Sequence, residues 1–160
     1  MRLLVDVMCG RLVPYLRMCG HDTLYAGDRD LEADDDVLAV AAAEGRTVVS
    51  RDVELAGRAD AAILLDSRAI ESQLAALADA GVPLSLADEP RFCGACNGPL
   101  ARVDRTEPTP EYAPDPAEEP VWRCRDCGQC FWRGSHWDRV RETLSEIGSA
   151  SEGGREDADQ

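Results

Sequence analysis

The sequence predicts an α/β fold over residues 1–90, followed by a small cysteine-rich module. Two observations carry the first part. Short apolar runs alternate with segments of helical periodicity, and glycines stand where those helical patterns stop (Gly20, Gly45, Gly81). Strands alternating with helices predict a central, mainly parallel sheet covered on both faces, hence three layers. A third observation separates the second part: after residue 90 the texture changes to paired cysteines and prolines. A length of 160 residues fits one domain plus a module of this kind.

Residues 2–6 (RLLVD) read as a buried strand. Residues 10–19 read as a helix with Leu12, Leu16 and Cys19 on one face, and Gly20 stops it. Pro14 is tolerated only in a first turn, so this helix starts near Leu12 or is kinked. Residues 22–26 (DTLYA) form a second strand, and a polar loop runs on through Ala33. Asp34 reads as an N-cap, with Asp35 and Asp36 in a first turn that favours negative charge. Val37, Leu38, Ala41 and Ala42 stripe that helix, and Gly45 ends it. Residues 46–50 (RTVVS) form a third strand leading into Arg51-Asp52, and residues 61–65 (AAILL) a fourth ending at Asp66. Ile70, Leu74, Leu77 and Ala78 stripe a further helix.

Beyond residue 90, Cys93-Gly-Ala-Cys96 opens the module and Cys124-Arg-Asp-Cys127 closes it. Residues 104–120 between them are rich in proline and acids and predict an extended loop. A short helix is expected over residues 137–147 and a disordered tail over 148–160. The expected division is therefore 1–90, 91–147 with its insert at 104–120, and 148–160.

The net charge is −14, which argues against non-specific nucleic-acid binding by the chain as a whole. The chain also contains no lysine; every basic residue is arginine. An acidic, lysine-free, alanine-rich chain fits a high-salt cytoplasm, where surface acids keep a protein hydrated. On that reading the charge reports the solvent, and a local basic patch gains meaning. No apolar stretch reaches the roughly 18 residues of a membrane span, so a cytoplasmic protein with no membrane partner is expected. The absence of lysine excludes P-loops and other lysine-dependent phosphoryl-transfer sites. With His21 and His136 the only histidines, no Ser-His-Asp arrangement is plausible. His21, at a helix end, reads as a surface residue.

Asp6 ends the first strand, Asp52 follows the third, and Asp34 opens a helix. Sites in open parallel sheets form outside the carboxyl ends of the strands. A helix running back along its strands is expected to start at the opposite edge, so Asp34 needs the preceding loop to carry it over. Clustered carboxylates call for a divalent cation; Mg²⁺ or Mn²⁺ there activates water and stabilises charge on a phosphate. The same three positions also suit a cap and two turn residues, and spacing alone favours that plainer use.

The seven cysteines are an odd number and do not suggest a disulfide framework. Cys9 and Cys19 lie among apolar residues and read as small core side chains. Cys93, Cys96, Cys124 and Cys127 form two C-x-x-C turns, the pattern of a closed tetrahedral zinc site. Cys130, flanked by Phe131 and Trp132, reads as a strand residue and is expected to stay unligated. From Val121 to Arg141 five arginines (Arg123, Arg125, Arg133, Arg139, Arg141) outnumber two aspartates, with Trp122, Phe131, Trp132 and Trp137 interleaved. Such a patch suits phosphate contact and base stacking, and equally the module's own small core.

Residues 2–25 (RLLVDVMCGRLVPYLRMCGHDTLY), 44–52 (EGRTVVSRD) and 124–137 (CRDCGQCFWRGSHW) resemble the Mut-seven C-terminal RNase domain family. The resemblance implies a PIN-like nuclease domain joined to a C-terminal zinc ribbon. It maps the family's strand-end and helix-opening acids onto Asp6, Asp34 and Asp52, and its G-S-H-W onto Gly134–Trp137. Ser50 stands where the family has threonine, and Cys9 where it has leucine. The implied activity is metal-dependent hydrolysis of RNA. Asp6, Asp34 and Asp52 would hold Mg²⁺ or Mn²⁺, the four cysteines structural zinc, and Arg123, Arg125, Arg133, His136 and Trp137 would contact RNA. Asp35, Asp36 or Asp66 could supply a fourth acid. The alternative is a non-catalytic RNA-binding adaptor whose ribbon docks on RNA or ribosomes; a third reading is a purely structural module that meets a protein partner.

Overall fold

The computed structural model describes residues 1–158, with side chains described through residue 148. Four strands, β1 (Arg2–Val5), β2 (Asp22–Tyr25), β3 (Thr47–Ser50) and β4 (Ala62–Leu64), form one wholly parallel sheet in the order β2-β1-β3-β4. A 3-10 segment (Val7–Leu12) leads into α1 (Val13–Met18), and α2 (Asp34–Glu44), α3 (Val53–Arg58) and α4 (Ile70–Asp79) follow their strands. The expected first helix is thus two pieces, and Pro14 sits in the first turn of the second, where its missing N–H costs nothing.

Strand alternation divides the core into two. Leu3, Val5 and Val49 face Leu12, Leu16, Leu74 and Leu77 on one side. Leu4, Leu24 and Val48 face Val37, Ala41 and Leu55 on the other. This is the three-layer arrangement that the alternation of strands and helices predicts. The chain steps outward from β1 to β2, then crosses back to β3 on β1's other flank. The switch point therefore lies between β1 and β3, and the crevice outside their carboxyl ends is where such sheets bind ligands.

The second sheet is antiparallel: β5 (Leu100–Arg102), β6 (Val121–Cys124) and β7 (Cys130–Trp132), in that order. Its core is small, built on Val103, Val121 and Cys130. The last helix, α5 (Ser135–Ala158), returns to the first unit: Val140, Leu144 and Ile147 join the core of α1 and α4. This helix, expected over residues 137–147, begins at Ser135 and extends past Ile147. The element as bounded reaches Ala158, into the stretch expected as a tail. Its side chains from 149, and residues 159–160 altogether, lie outside the described residues. Among the described residues, no helix is long and apolar enough to cross a membrane.

Two polar residues, buried Arg17 and half-buried Asn97, tie the two sheets together. Arg17, 2% exposed, donates from Nε to the Thr23 carbonyl and from Nη1 to the Gly94 carbonyl at 2.8 Å. Asn97 accepts from the Thr23 N–H and donates to Asp22 at 2.7 Å. His21, expected on the surface, is buried; its Nε2–H donates to the Pro83 carbonyl at 2.7 Å. Burial holds its pKa below the ordinary value, against the opposing effect of that bond.

Candidate functional site

Asp6 and Asp52 come together at the switch point through one hydroxyl. Ser50, fully buried at the end of β3, donates from Oγ to Asp6 Oδ2 at 2.8 Å. The same Oγ accepts the Asp52 N–H at 2.9 Å. Asp6 follows β1 and is 8% exposed; its Oδ1 accepts the Val7 N–H and so starts the 3-10 segment. Asp52 caps α3: its Oδ1 accepts from the Glu54 and Leu55 N–H groups, leaving Oδ2 uncommitted. Among the described residues neither carboxylate has a cationic partner. A nearly buried Asp6 carboxyl group with only two neutral donors leaves room for a cationic partner.

Asp34 is placed differently from expectation in two respects. Ala33, not Asp34, is the N-cap of α2, because its carbonyl already accepts from Asp36 and Val37. In addition, α2 follows the carboxyl end of β2, so a helix running back along the sheet starts at the same edge as Asp6 and Asp52. No long transit across the sheet is needed. Asp34 is half-buried at the first helical position, and nothing joins it directly to the other two acids. Beside it, Asp35 pairs with Arg58. Asp36 and Asp66 are exposed.

Two neighbours went unread in the sequence. Arg51, between Ser50 and Asp52, has a buried Nε without a hydrogen-bond partner. Cys9 reads correctly as a buried side chain, yet it also abuts this site. Burial raises its pKa, the Asp6 charge raises it further, and Arg51 opposes both. Single polar residues between two strand-end acids carry no periodic signal; only the S-R-D order hinted at them.

The cysteine module forms a tight cluster. The Sγ atoms of Cys93, Cys96, Cys124 and Cys127 all lie within 4.8 Å of one another. Cys93 and Cys127 are 3.6 Å apart, and Cys96 and Cys124 are 3.5 Å apart. Four ligands at about 2.3 Å from a tetrahedral ion would be about 3.8 Å apart, so the set is compatible with structural zinc. Backbone N–H groups point at the sulfurs, from Ala95 to Cys93, Gly98 to Cys96, and Asp126 and Cys127 to Cys124. The two turns are built alike. Asn97 and Gly128, each directly after the second cysteine, adopt φ of 67° and 79° and close back onto Cys93 and Cys124. Asparagine and glycine are the residues that accept this conformation most readily. Among the described residues, this is the one group of three or more His, Cys, Asp or Glu side chains already placed to hold an ion. Cys130 lies in β7, buried, outside the cluster.

Gly98 allows the two turns to meet. A Cβ there would lie 2.8 Å from Cys124 Sγ and 2.7 Å from Asp126 Oδ2. Gly98→Ala is therefore expected to destabilise the module by about 1–3 kcal/mol and weaken its hold on metal. Gly94→Ala, whose Cβ meets nothing nearer than Phe131 at 3.6 Å, should leave both unchanged. Metal content after dialysis and thermal unfolding of the two variants compare them directly; equal behaviour would refute the close-approach role of Gly98.

The five expected RNA-contact residues separate by exposure. Arg125, Arg133 and His136 are exposed. Arg123 is engaged by the insert, donating to Glu107 and to the Pro108 carbonyl. Trp137 is only 5% exposed, its ring enclosed at the start of α5. Trp122 is likewise buried, with the guanidinium groups of Arg102 and Arg133 5.6 and 5.3 Å from its ring centre. A family model described as the Mut7-C RNAse domain matches residues 1–144. No curated protein and no solved structure matches the chain.

Proposed function

Since the chain belongs to the Mut7-C RNAse domain family, we propose that it is a metal-dependent ribonuclease that hydrolyses RNA phosphodiester bonds. The observation that carries this reading is the joining of Asp6 and Asp52 through Ser50 at the sheet's switch point. The donor set is all oxygen and suits a hard cation, Mg²⁺ or Mn²⁺, with Asp34 as the third carboxylate from the same edge. Such an ion, when bound, supplies an activated water and neutralises charge on the scissile phosphate.

The chain's own residues then have distinct tasks. Ser50 fixes the Asp6 carboxylate by donating to Oδ2 and fixes the Asp52 backbone by accepting its N–H. The cap bonds to Asp52 Oδ1 set the direction in which Oδ2 is presented. Arg51, whose Nε is buried without a partner, adds a positive charge directly before Asp52 in sequence. Residues 1–90 are the nuclease domain on this reading. Residues 91–147 form a zinc ribbon whose Arg125, Arg133 and His136 help hold RNA. Zinc, held by Cys93, Cys96, Cys124 and Cys127, is the structural ion.

A second reading has its own support. The cysteines are already placed to hold an ion, whereas the three aspartates are not drawn into such a group. A non-catalytic RNA-binding adaptor would need only the former. One experiment separates the two: labelled single-stranded RNA incubated at high salt with the zinc-loaded protein and Mn²⁺, Mg²⁺ or neither. Cleavage that requires the added ion and disappears in Asp52→Asn supports the nuclease. RNA bound equally by both proteins and cut by neither supports the adaptor.

A further inference from the structure

Two cavities beside the ribbon share one wall. The first, of about 120 Å³, lies between α1 and the ribbon, with Pro14, Met18 and Phe92 among its lining residues. The second, of about 240 Å³, lies toward the insert, beside Tyr112. Phe131, Trp132 and His136 line both. Phe131 and Trp132 are half-buried and His136 is exposed, so the dividing wall presents ring surface to solvent. Tyr112 forms the outer side: its ring centre is 6.2 Å from that of Trp132, and its hydroxyl accepts the Cys130 N–H.

The lining of this groove is mostly aromatic and apolar, and two arginines adjoin its lining residues in sequence. Arg91 adjoins Phe92 in sequence, and Arg133 adjoins Trp132. The nearby ion pairs join Arg102 to Glu89 and Arg123 to Glu107. Among the described residues Arg91 and Arg133 are in none. Arg133 donates only to the Asp88 carbonyl, and the Arg91 guanidinium lies 5.8 Å from the Phe92 ring centre. Guanidinium groups outside ion pairs are notable in a chain of charge −14. Aromatic walls with flanking cations match a strand that carries alternating planar rings and negative charges. Trp122 cannot serve in this way, because Arg102 and Arg133 already lie against its ring.

We propose that the groove seats two consecutive nucleobases of single-stranded RNA, one in each cavity, with Phe131, Trp132 and His136 between them. Arg91 and Arg133 meet the flanking phosphates. This rests on the RNA reading above, but it needs no cleavage. It gives the ribbon a base-stacking task rather than one of charge alone, and it brings in Phe92, Tyr112 and Arg91 from outside the arginine-rich stretch. A proline-rich peptide would also find ring surfaces here, but it would leave both guanidinium groups without a counter-charge.

The test uses the full, zinc-loaded chain carrying Asp52→Asn, without added Mg²⁺ or Mn²⁺, so that binding is read in the absence of turnover. Its probes are a labelled oligouridylate and an abasic ribose-phosphate strand of equal length and charge. The base-bearing strand is expected to bind about 10-fold tighter or more and to quench tryptophan emission. His136→Ala and, separately, Phe131→Leu should each reduce that preference severalfold while leaving zinc content unchanged. His136 is exposed and outside the strands, so its variant keeps the test valid if Phe131→Leu disturbs the ribbon. Equal affinity for the two strands, or an unchanged preference in His136→Ala with the ribbon folded, would overturn the proposal. So would displacement by a proline-rich peptide without any base preference. Base preference in a protein whose parent never cleaves RNA would remove the nuclease reading and leave the groove standing; cleavage without base preference would do the opposite.

Discussion

Asp6→Asn is expected to lower metal-dependent RNA cleavage by about a thousandfold while the protein stays folded. The two halves of that statement have separate causes. Asparagine keeps the shape of aspartate, and its Oδ1 can still accept the Val7 N–H. Its Nδ2 cannot accept from Ser50, but it can donate to the Ser50 hydroxyl, which has a second lone pair beyond the one facing the Asp52 N–H. The fold therefore loses about one charge-assisted hydrogen bond, on the order of 1–2 kcal/mol. Catalysis loses more. A buried carboxylate without a cationic partner is the strongest feature of this edge for holding a divalent ion. Losing several kcal/mol of transition-state stabilisation corresponds to roughly three powers of ten in rate. Ser50→Ala should fall between parent and Asp6→Asn, because both acids remain but lose the hydroxyl that positions them. Rates on labelled single-stranded RNA with saturating Mn²⁺, together with thermal unfolding of each variant, read the two effects apart. An Asp6→Asn protein cleaving at the parent rate would remove Asp6 from the proposed site.

Much of this architecture was legible because its signals are periodic or local. Four apolar runs separated by striped segments lead to a parallel sheet, and strand ends then place Asp6 and Asp52 on one edge. Two C-x-x-C turns lead to a cysteine cluster whatever the length of the insert between them. The features that escaped lack such signals. Helix α3 spans only Val53–Arg58 and buries chiefly Leu55, while Val53 is 71% exposed, so no stripe announces it. Asp34 looked like a cap because aspartate caps well, but the preceding carbonyl took that role and left Ala33 there. A helix leaving the carboxyl end of a strand begins at that end, so α2 starts at the edge of Asp6 and Asp52 rather than the opposite one. Arg17, Asn97 and His21 hold segments far apart in sequence, a relation visible only once the chain is folded. The same is true of α5, whose apolar face meets α4 rather than the ribbon.

Removing metal from the cysteine cluster is expected to unfold the ribbon while the parallel-sheet domain remains. The ribbon has little else to hold it. Its strands are three or four residues long, and its buried cluster consists of Val103, Val121 and Cys130. A sheet of that size is marginal in water, whereas binding of structural zinc supplies about 10–16 kcal/mol to small domains. The parallel sheet has a core on each face and, through Val140, Leu144 and Ile147, an independent hold on α5. The three tryptophans, Trp122, Trp132 and Trp137, all lie in β6, β7 and the start of α5. Their emission therefore reports the ribbon and its junction rather than the parallel sheet. A strong chelator, or Cys124→Ser, should shift that emission to the red as Trp122 leaves its buried position. Far-UV dichroism should change little, because α1, α2 and α4 persist. Added zinc should reverse the chelator's effect but not that of Cys124→Ser. Cys130→Ser should keep its zinc, since that sulfur is outside the cluster, and lose only a modest amount of stability from the small core. A metal-free protein with the parent's emission and near-UV dichroism would mean that the ribbon folds on its own apolar contacts. The close approach of the four sulfurs would then be a consequence of the fold rather than its cause.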